Sequence, residues 1–140
     1  MTNSKPKKAA TYPYRDADGK ILYVKERYEP GRDDKDKEFL FKHKKNGKWI
    51  NSRGGDALLY NNLSDVIKAK VVFFVEGEGK VELLRAWGIQ ATCLDAGANS
   101  QWKSEYNKYI DGKDEIFILP DNDKPGRAYA SMIANAVHDK

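Results

Sequence analysis

The chain has 140 residues, of which 40% are apolar and 33% charged, and it carries a net charge of +4. That is enough for one modest domain with a real core plus an appendage. The longest clean apolar run, Val71–Val75, is far too short for a membrane-spanning helix, and the single cysteine, Cys93, excludes an internal disulfide or a cysteine-held zinc site.

The charge is unevenly spread. Met1–Arg53 holds 15 lysines and arginines against 8 acids, whereas the chain from Gly54 onward holds 10 against 13. A basic segment beside an acidic one suits an enzyme of nucleic acid, one holding phosphates and the other cations, although lysine-rich surface also serves solubility alone. Cys93, in an apolar stretch, reads as a small buried hydrophobe in a reducing cytoplasm.

In chain order, Met1–Ala10 is polar and lysine-rich without the apolar stretch of a secretory signal, and reads as a disordered leader. Residues 11–63 form a β-rich segment. Tyr12–Arg15, the turn Asp16–Gly19 and Ile21–Tyr28 spell a hairpin. After a loop at Pro30–Asp34, Glu38–His43 reads as a strand with Phe39 and Phe41 on one face. Asn46-Gly47 then turns it back into Trp49-Ile50. In a connector, Ser64 is placed to cap a short helix reaching about Ala69.

Residues 64–140 follow a different grammar. Val71–Val75 is continuous, β-branched and aromatic, as in a strand covered on both faces. Lys80–Trp87 reads as a helix stopped by Gly88, and Ile89–Leu94 as a second strand. After a loop at Gly97–Ser100, a helix is expected with Trp102, Tyr106, Tyr109 and Ile110 on one face. A strand at Glu115–Leu119, a loop at Pro120–Lys124 and a last helix opened by Pro125 complete the chain. The order β-α-β-α-β-α predicts an α/β fold: a parallel sheet with flanking helices, preceded by a small antiparallel β segment.

In such sheets ligands gather at the carboxyl ends of strands. Glu76 follows the first of the three strands directly, and Asp121 and Asp123 follow the third. Folding can bring these carboxylates together, and a divalent cation offsets their repulsion. Oxygen-only ligands suit Mg²⁺ or Mn²⁺, not zinc. Gly77 leaves room for a substrate or a neighbouring loop. Each motif alone is common in solvated turns; their joint placement at two strand ends is what raises the hypothesis.

The run VVFFVEGEGKVELLRAWGIQATCLDAGAN, followed by EIFILPDNDKPGRAYASMIA, resembles a Toprim domain, the catalytic core of bacterial-type primases, type IA and type II topoisomerases and some nucleases. The version it is most similar to is that of phage and plasmid DNA primases, and YPYRDADGKILYVKERYEP with FLFKHKK resembles the β-rich segment preceding Toprim in those proteins. The resemblance implies that Glu76 acts as general acid or base and that Asp121 and Asp123, with Glu76, hold Mg²⁺ or Mn²⁺. It implies attack of a 3′-hydroxyl on a nucleotide α-phosphate, as in primer synthesis on a single-stranded DNA template from nucleoside triphosphates, with a replicative helicase as a further partner. Glu78 is a candidate auxiliary ligand, or else a solvated residue at a helix N-terminus. Lys80, Lys124 and Arg127 are candidate phosphate or nucleic-acid contacts, or else simply solvent-facing.

Toprim domains of this kind carry a further strand and further acids beyond the point matching Lys140, so a C-terminally shortened domain with an open sheet edge is expected, together with weak or no primer synthesis. The single cysteine leaves no zinc module, and the length leaves no room for a topoisomerase's tyrosine domain. Gly77-Glu78-Gly79-Lys80 is not a phosphate-binding P-loop, because Val81 stands where a serine or threonine is needed. A haloacid-dehalogenase-like reading leaves Glu76 without a role. Two rivals stay open. One is a Toprim-type nuclease using the same acids. The other is a non-catalytic module in which Tyr12, Tyr14, Tyr23, Tyr28, Phe39, Phe41 and Trp49 stack bases, about half of them being expected to form core instead.

Overall fold

The computed structural model describes residues 5–138, and has the α/β class expected from the sequence. An antiparallel sheet comes first, in the order β1 (Lys8–Arg15), β2 (Ile21–Tyr28), β3 (Glu38–Lys45) and β4 (Lys48–Ile50). The turn between β3 and β4 places Asn46 and Gly47 at φ 52 and 79, the left-handed pair that an Asn-Gly hairpin requires. Strand β1 begins at Lys8, inside the stretch expected to be a leader, because Lys8 pairs with Tyr28. Just before the strand Lys7 N donates to Pro30 O at 3.0 Å, and Met1–Ser4 lie outside the described residues.

After α1 (Leu63–Lys68), three parallel strands form the second sheet: β5 (Val71–Phe74) at the centre, β6 (Ala91–Thr92) on one side and β7 (Glu115–Ile118) on the other. Helices α2 (Glu78–Ala86), α3 (Asn107–Ile110) and α4 (Lys124–Val137) complete it. Asn62 precedes α1, and Ser64, the expected cap, lies inside the helix and donates its hydroxyl to Asn62 Oδ1 at 3.1 Å. The second strand is shorter than Ile89–Leu94. The helix expected from Trp102 narrows to a 3-10 turn at Ser104–Tyr106 followed by α3, and the Trp102 indole donates to Asn107 Oδ1 at 2.9 Å.

The alternation along β5 divides the core in two. Val72 and Phe74 pack with Leu59, Leu63, Val66, Ile110, Tyr129 and Ile133 against α1, α3 and α4. Val75, with Phe73 beside it, faces the other way, meeting Val81 of α2 and the buried Tyr14, Tyr23 and Tyr60. Each fully buried side chain of this size contributes about 1.5–3 kcal/mol. The second cluster therefore joins the antiparallel sheet to the parallel one, and the first sheet does not stand alone. Cover on that face is incomplete: Val71 and Phe117 are exposed, with Phe117 stacked on Phe73 at 4.8 Å. No helix among the described residues is long and apolar enough to cross a membrane.

Candidate active-site cleft

The carboxyl end of β5 is fixed by its surroundings. Tyr129 of α4 donates its hydroxyl to Val75 O at 2.7 Å, Val75 N donates to Thr92 O at 3.0 Å, and Leu119 N donates to Phe74 O at 2.8 Å. Glu76 leaves this rigid strand end, and its Oε2 accepts the backbone N–H of Asp121, 45 residues away. The ends of the first and third strands thus meet, the Glu76 carboxylate on the backbone of Asp121, and both residues line one cleft. The Lys80 ammonium, from the first turn of α2, rests on Asp121 Oδ1.

Asp123 is turned differently. It is the N-cap of α4, with Oδ1 accepting from Gly126 N at 2.6 Å. That cap satisfies one of the orphan donors of the helix start and leaves Oδ2 available. Gly126 is required by the turn, since a Cβ there would lie 2.2 Å from Asp121 O. Among the described residues no three His, Cys, Asp or Glu side chains are gathered in cation-holding geometry. Lys124 and Arg127 are exposed on the first turn of α4, and neither lines the cleft. Nothing crowds Gly77.

Glu78 is neither solvated nor free. It is 3% exposed, accepts the Tyr14 hydroxyl at 2.5 Å and pairs with Lys25 Nζ at 2.9 Å. Its carboxylate is committed to joining the sheets, and the reading as an auxiliary ligand meets that engagement. Asp95, which follows β6 after Cys93 and Leu94, has a similar fate. It accepts Tyr23 O–H at 2.6 Å and a bidentate pair from Arg53 at 2.6 and 3.0 Å, while Lys25 Nζ donates to its backbone oxygen at 2.7 Å. Burial above all pushes the Tyr14 and Tyr23 phenols well up from their ordinary value, so both stay protonated donors.

Between the two sheets runs a cleft of about 670 Å³. One wall carries Glu76, Lys80 and Asp121; the other carries Lys25, Arg27, Lys37 and Phe39. Lys25 Nζ lies 4.5 Å, and the Arg27 guanidinium carbon 5.5 Å, from the centre of the half-exposed Phe39 ring. Tyr14 and Tyr23, candidates for base stacking, are core instead, stacked on each other at 4.8 Å. Lys25, Arg27, Lys37, Arg53 and Asp95 escaped the sequence reading. Asp95 had the same signal as Glu76, a carboxylate at the end of a parallel strand.

The solved structure of the primase fragment of the bacteriophage T7 primase-helicase protein is similar to this chain. The TM-score is 0.63 and the identity 25%, over 89% of this chain and 47% of that one. The chain thus has a primase-like fold and spans less than half the length of that fragment. No family model matches the chain, and no curated protein matches it.

Proposed function

We propose that this chain is the Toprim part of a phage-type DNA primase, whose reaction is Mg²⁺- or Mn²⁺-dependent nucleotidyl transfer on a single-stranded DNA template with nucleoside triphosphates, and that primer synthesis by the chain alone is weak. The observation that carries the reading is the meeting of Glu76 and Asp121 on one wall of a cleft whose other wall is cationic and aromatic. The likeness to a phage primase fragment supports it. A replicative helicase is the partner class this reading brings with it.

The donor set fits the metal. Mg²⁺ keeps several waters and is usually bound through one or two carboxylates plus substrate phosphates, so a closed three-acid cage is not required. Asp121 already accepts a cation, the Lys80 ammonium, at the position in question. Asp121 and Glu76 would hold the ion, with Asp123 Oδ2 as the third donor. When bound, the ion neutralises charge on the reacting phosphate and stabilises the attacking and leaving oxygens. Glu76, with Oε2 fixed by Asp121 N, presents Oε1 to take or give the proton of a 3′-hydroxyl. Lys80 exchanges its place on Asp121 for a triphosphate oxygen. Arg27 and Lys37 hold phosphates from the opposite wall, and Phe39 offers a base a flat apolar face.

The test is template-dependent incorporation of labelled nucleoside triphosphates. E76Q keeps an oxygen to accept Asp121 N–H, so it stays folded, and is expected to lower incorporation at least a hundredfold. Degradation of DNA without triphosphates, abolished by E76Q, would replace the reading with that of a nuclease. A non-catalytic nucleic-acid-binding module is favoured by one observation, that Lys80 and the α4 cap already occupy Asp121 and Asp123. Template binding with neither incorporation nor cleavage, and no change in E76Q, would establish it.

A further inference from the structure

From Phe39 to Gly55 the chain has no acidic residue and five cationic ones, Lys42, Lys44, Lys45, Lys48 and Arg53. Lys42 is paired with Glu26, and Arg53 with Asp95. Lys44, Lys45 and Lys48 have no carboxylate partner among the described residues, and all three sit on the β3–β4 hairpin. Every residue of β4 is exposed, Trp49 by 56%, and the Lys44 ammonium lies 5.4 Å from the Trp49 ring centre. An exposed tryptophan leaves apolar surface in water and unpaired lysines repel one another, so beyond the one exposed cation–π contact of Lys44 the fold gains little from this arrangement.

The pairing of the hairpin fixes its faces. Lys44 lies opposite Trp49 and Lys45 opposite Lys48, so the first pair shares one face of the ribbon and the second the other. Strand β3 also carries Phe39 and Phe41 into the cleft, and Lys45 lies six residues beyond Phe39, about 20 Å further along. Alternation along β3 puts Lys45, and with it Lys48, on the face of Phe39 and Phe41, and puts Lys44 and Trp49 on the opposite face, so the ribbon beyond the cleft carries a stacking ring on one side and cations on both.

We infer that the β3–β4 hairpin is a binding finger for single-stranded nucleic acid, with Trp49 stacking an unpaired base and Lys44, Lys45 and Lys48 holding the adjoining phosphates. It rests on the proposed function only in that the polynucleotide is then the template leading to or from the cleft; no metal and no catalysis enter it. Polyanion and stacking base together match a cationic, aromatic ribbon, whereas a protein partner would have to bring a dense acidic surface to it.

The experiment is fluorescence anisotropy of a dye-labelled oligothymidylate with the full chain, at several salt concentrations. W49A is expected to bind about tenfold more weakly, W49F close to wild type, and W87A, altered at a tryptophan 67% exposed at the C-cap of α2, like wild type. K44A/K45A/K48A is expected to flatten the slope of log affinity against log salt by about 2, roughly 0.7 for each phosphate that a lysine no longer neutralises. Since these side chains are exposed, circular dichroism should match wild type throughout. Unchanged affinity and slope in W49A and in the triple variant would overturn the inference and leave the proposed function standing, as would duplex DNA competing as well as single strands. A wild-type chain that binds no single-stranded nucleic acid would overturn both.

Discussion

Lys25 Nζ stands 2.9 Å from Glu78 Oε2, and neither side chain is more than 7% exposed. The pair joins the second strand of the antiparallel sheet to the first turn of α2, and the Tyr14 hydroxyl completes it at 2.5 Å. Removing one charge from such a pair leaves the other buried without its partner, which costs about 3–5 kcal/mol. K25M should be destabilised by that amount in urea unfolding. K25M/E78M should recover a large part of it, since an apolar pair of similar volume replaces the ions. A double variant that merely adds the two single losses would show that the pair is not coupled.

Asp123 links two roles that substitution separates. D123A loses the α4 cap and should cost about 1 kcal/mol of stability. D123N keeps an equivalent cap and should melt like wild type. On the proposed reading, both variants bind Mn²⁺ more weakly, which paramagnetic resonance of the free ion would measure directly. If D123N binds the ion as wild type does, Asp123 is a cap and nothing more. G126A brings a Cβ to 2.2 Å from Asp121 O, a backbone atom that cannot swing away, and should be destabilised by roughly 2 kcal/mol or more.

These residues also show how far the sequence was legible. Alternation and Asn46-Gly47 located the first sheet, and Val71–Val75 located the central parallel strand, because period and turn chemistry are local. The neighbouring placement of Glu76 and Asp121 followed from topology alone, since strand ends of a parallel sheet lie together. The engagement of Glu78 and Asp95 was not legible. Their partners, Tyr14, Lys25, Tyr23 and Arg53, lie between 42 and 72 residues away, and only the packing of one sheet on the other brings them near. The cap by Asp123 was within reach, as Asp-x-Pro-Gly opening a helix is a local signal, but it competes with the metal reading of the same residue.

Lys80 and Asp121 form an ion pair with both side chains about half exposed, at 54% and 42%. Such pairs contribute less than about 1 kcal/mol, so K80A should keep the unfolding free energy of wild type to within that margin. The ammonium nonetheless competes for a carboxylate assigned to the metal. Mn²⁺ affinity is therefore expected to rise severalfold in K80A, while the affinity for nucleoside triphosphate falls. Equal Mn²⁺ affinity in the two proteins would remove Asp121 from the ligand set.

Glu26 supplies the acid dependence of the fold. It lies on the outer face of the first sheet, accepting from Tyr28 O–H at 2.8 Å and bound by Lys8 at 2.6 Å and Lys42 at 2.7 Å. Burial pushes its carboxyl up, but hydrogen bonds from Lys42, Lys8 and Tyr28 outweigh that and hold it at about 2. A carboxyl lower in the folded chain than in the unfolded one stabilises the fold above its unfolded value, and that contribution is lost as the pH falls through the folded one. The window runs from an ordinary 4.5 down to about 2. With Lys8 half exposed and screened, the contribution is of the order of 2 kcal/mol. Urea unfolding across this range should show wild type losing that much more stability than E26Q, which starts lower at neutral pH and has no carboxyl to titrate at this position. Parallel losses in the two proteins would mean that the three-strand bridge of Lys8, Glu26 and Lys42 carries no net stability, and that the acid sensitivity arises at other carboxylates.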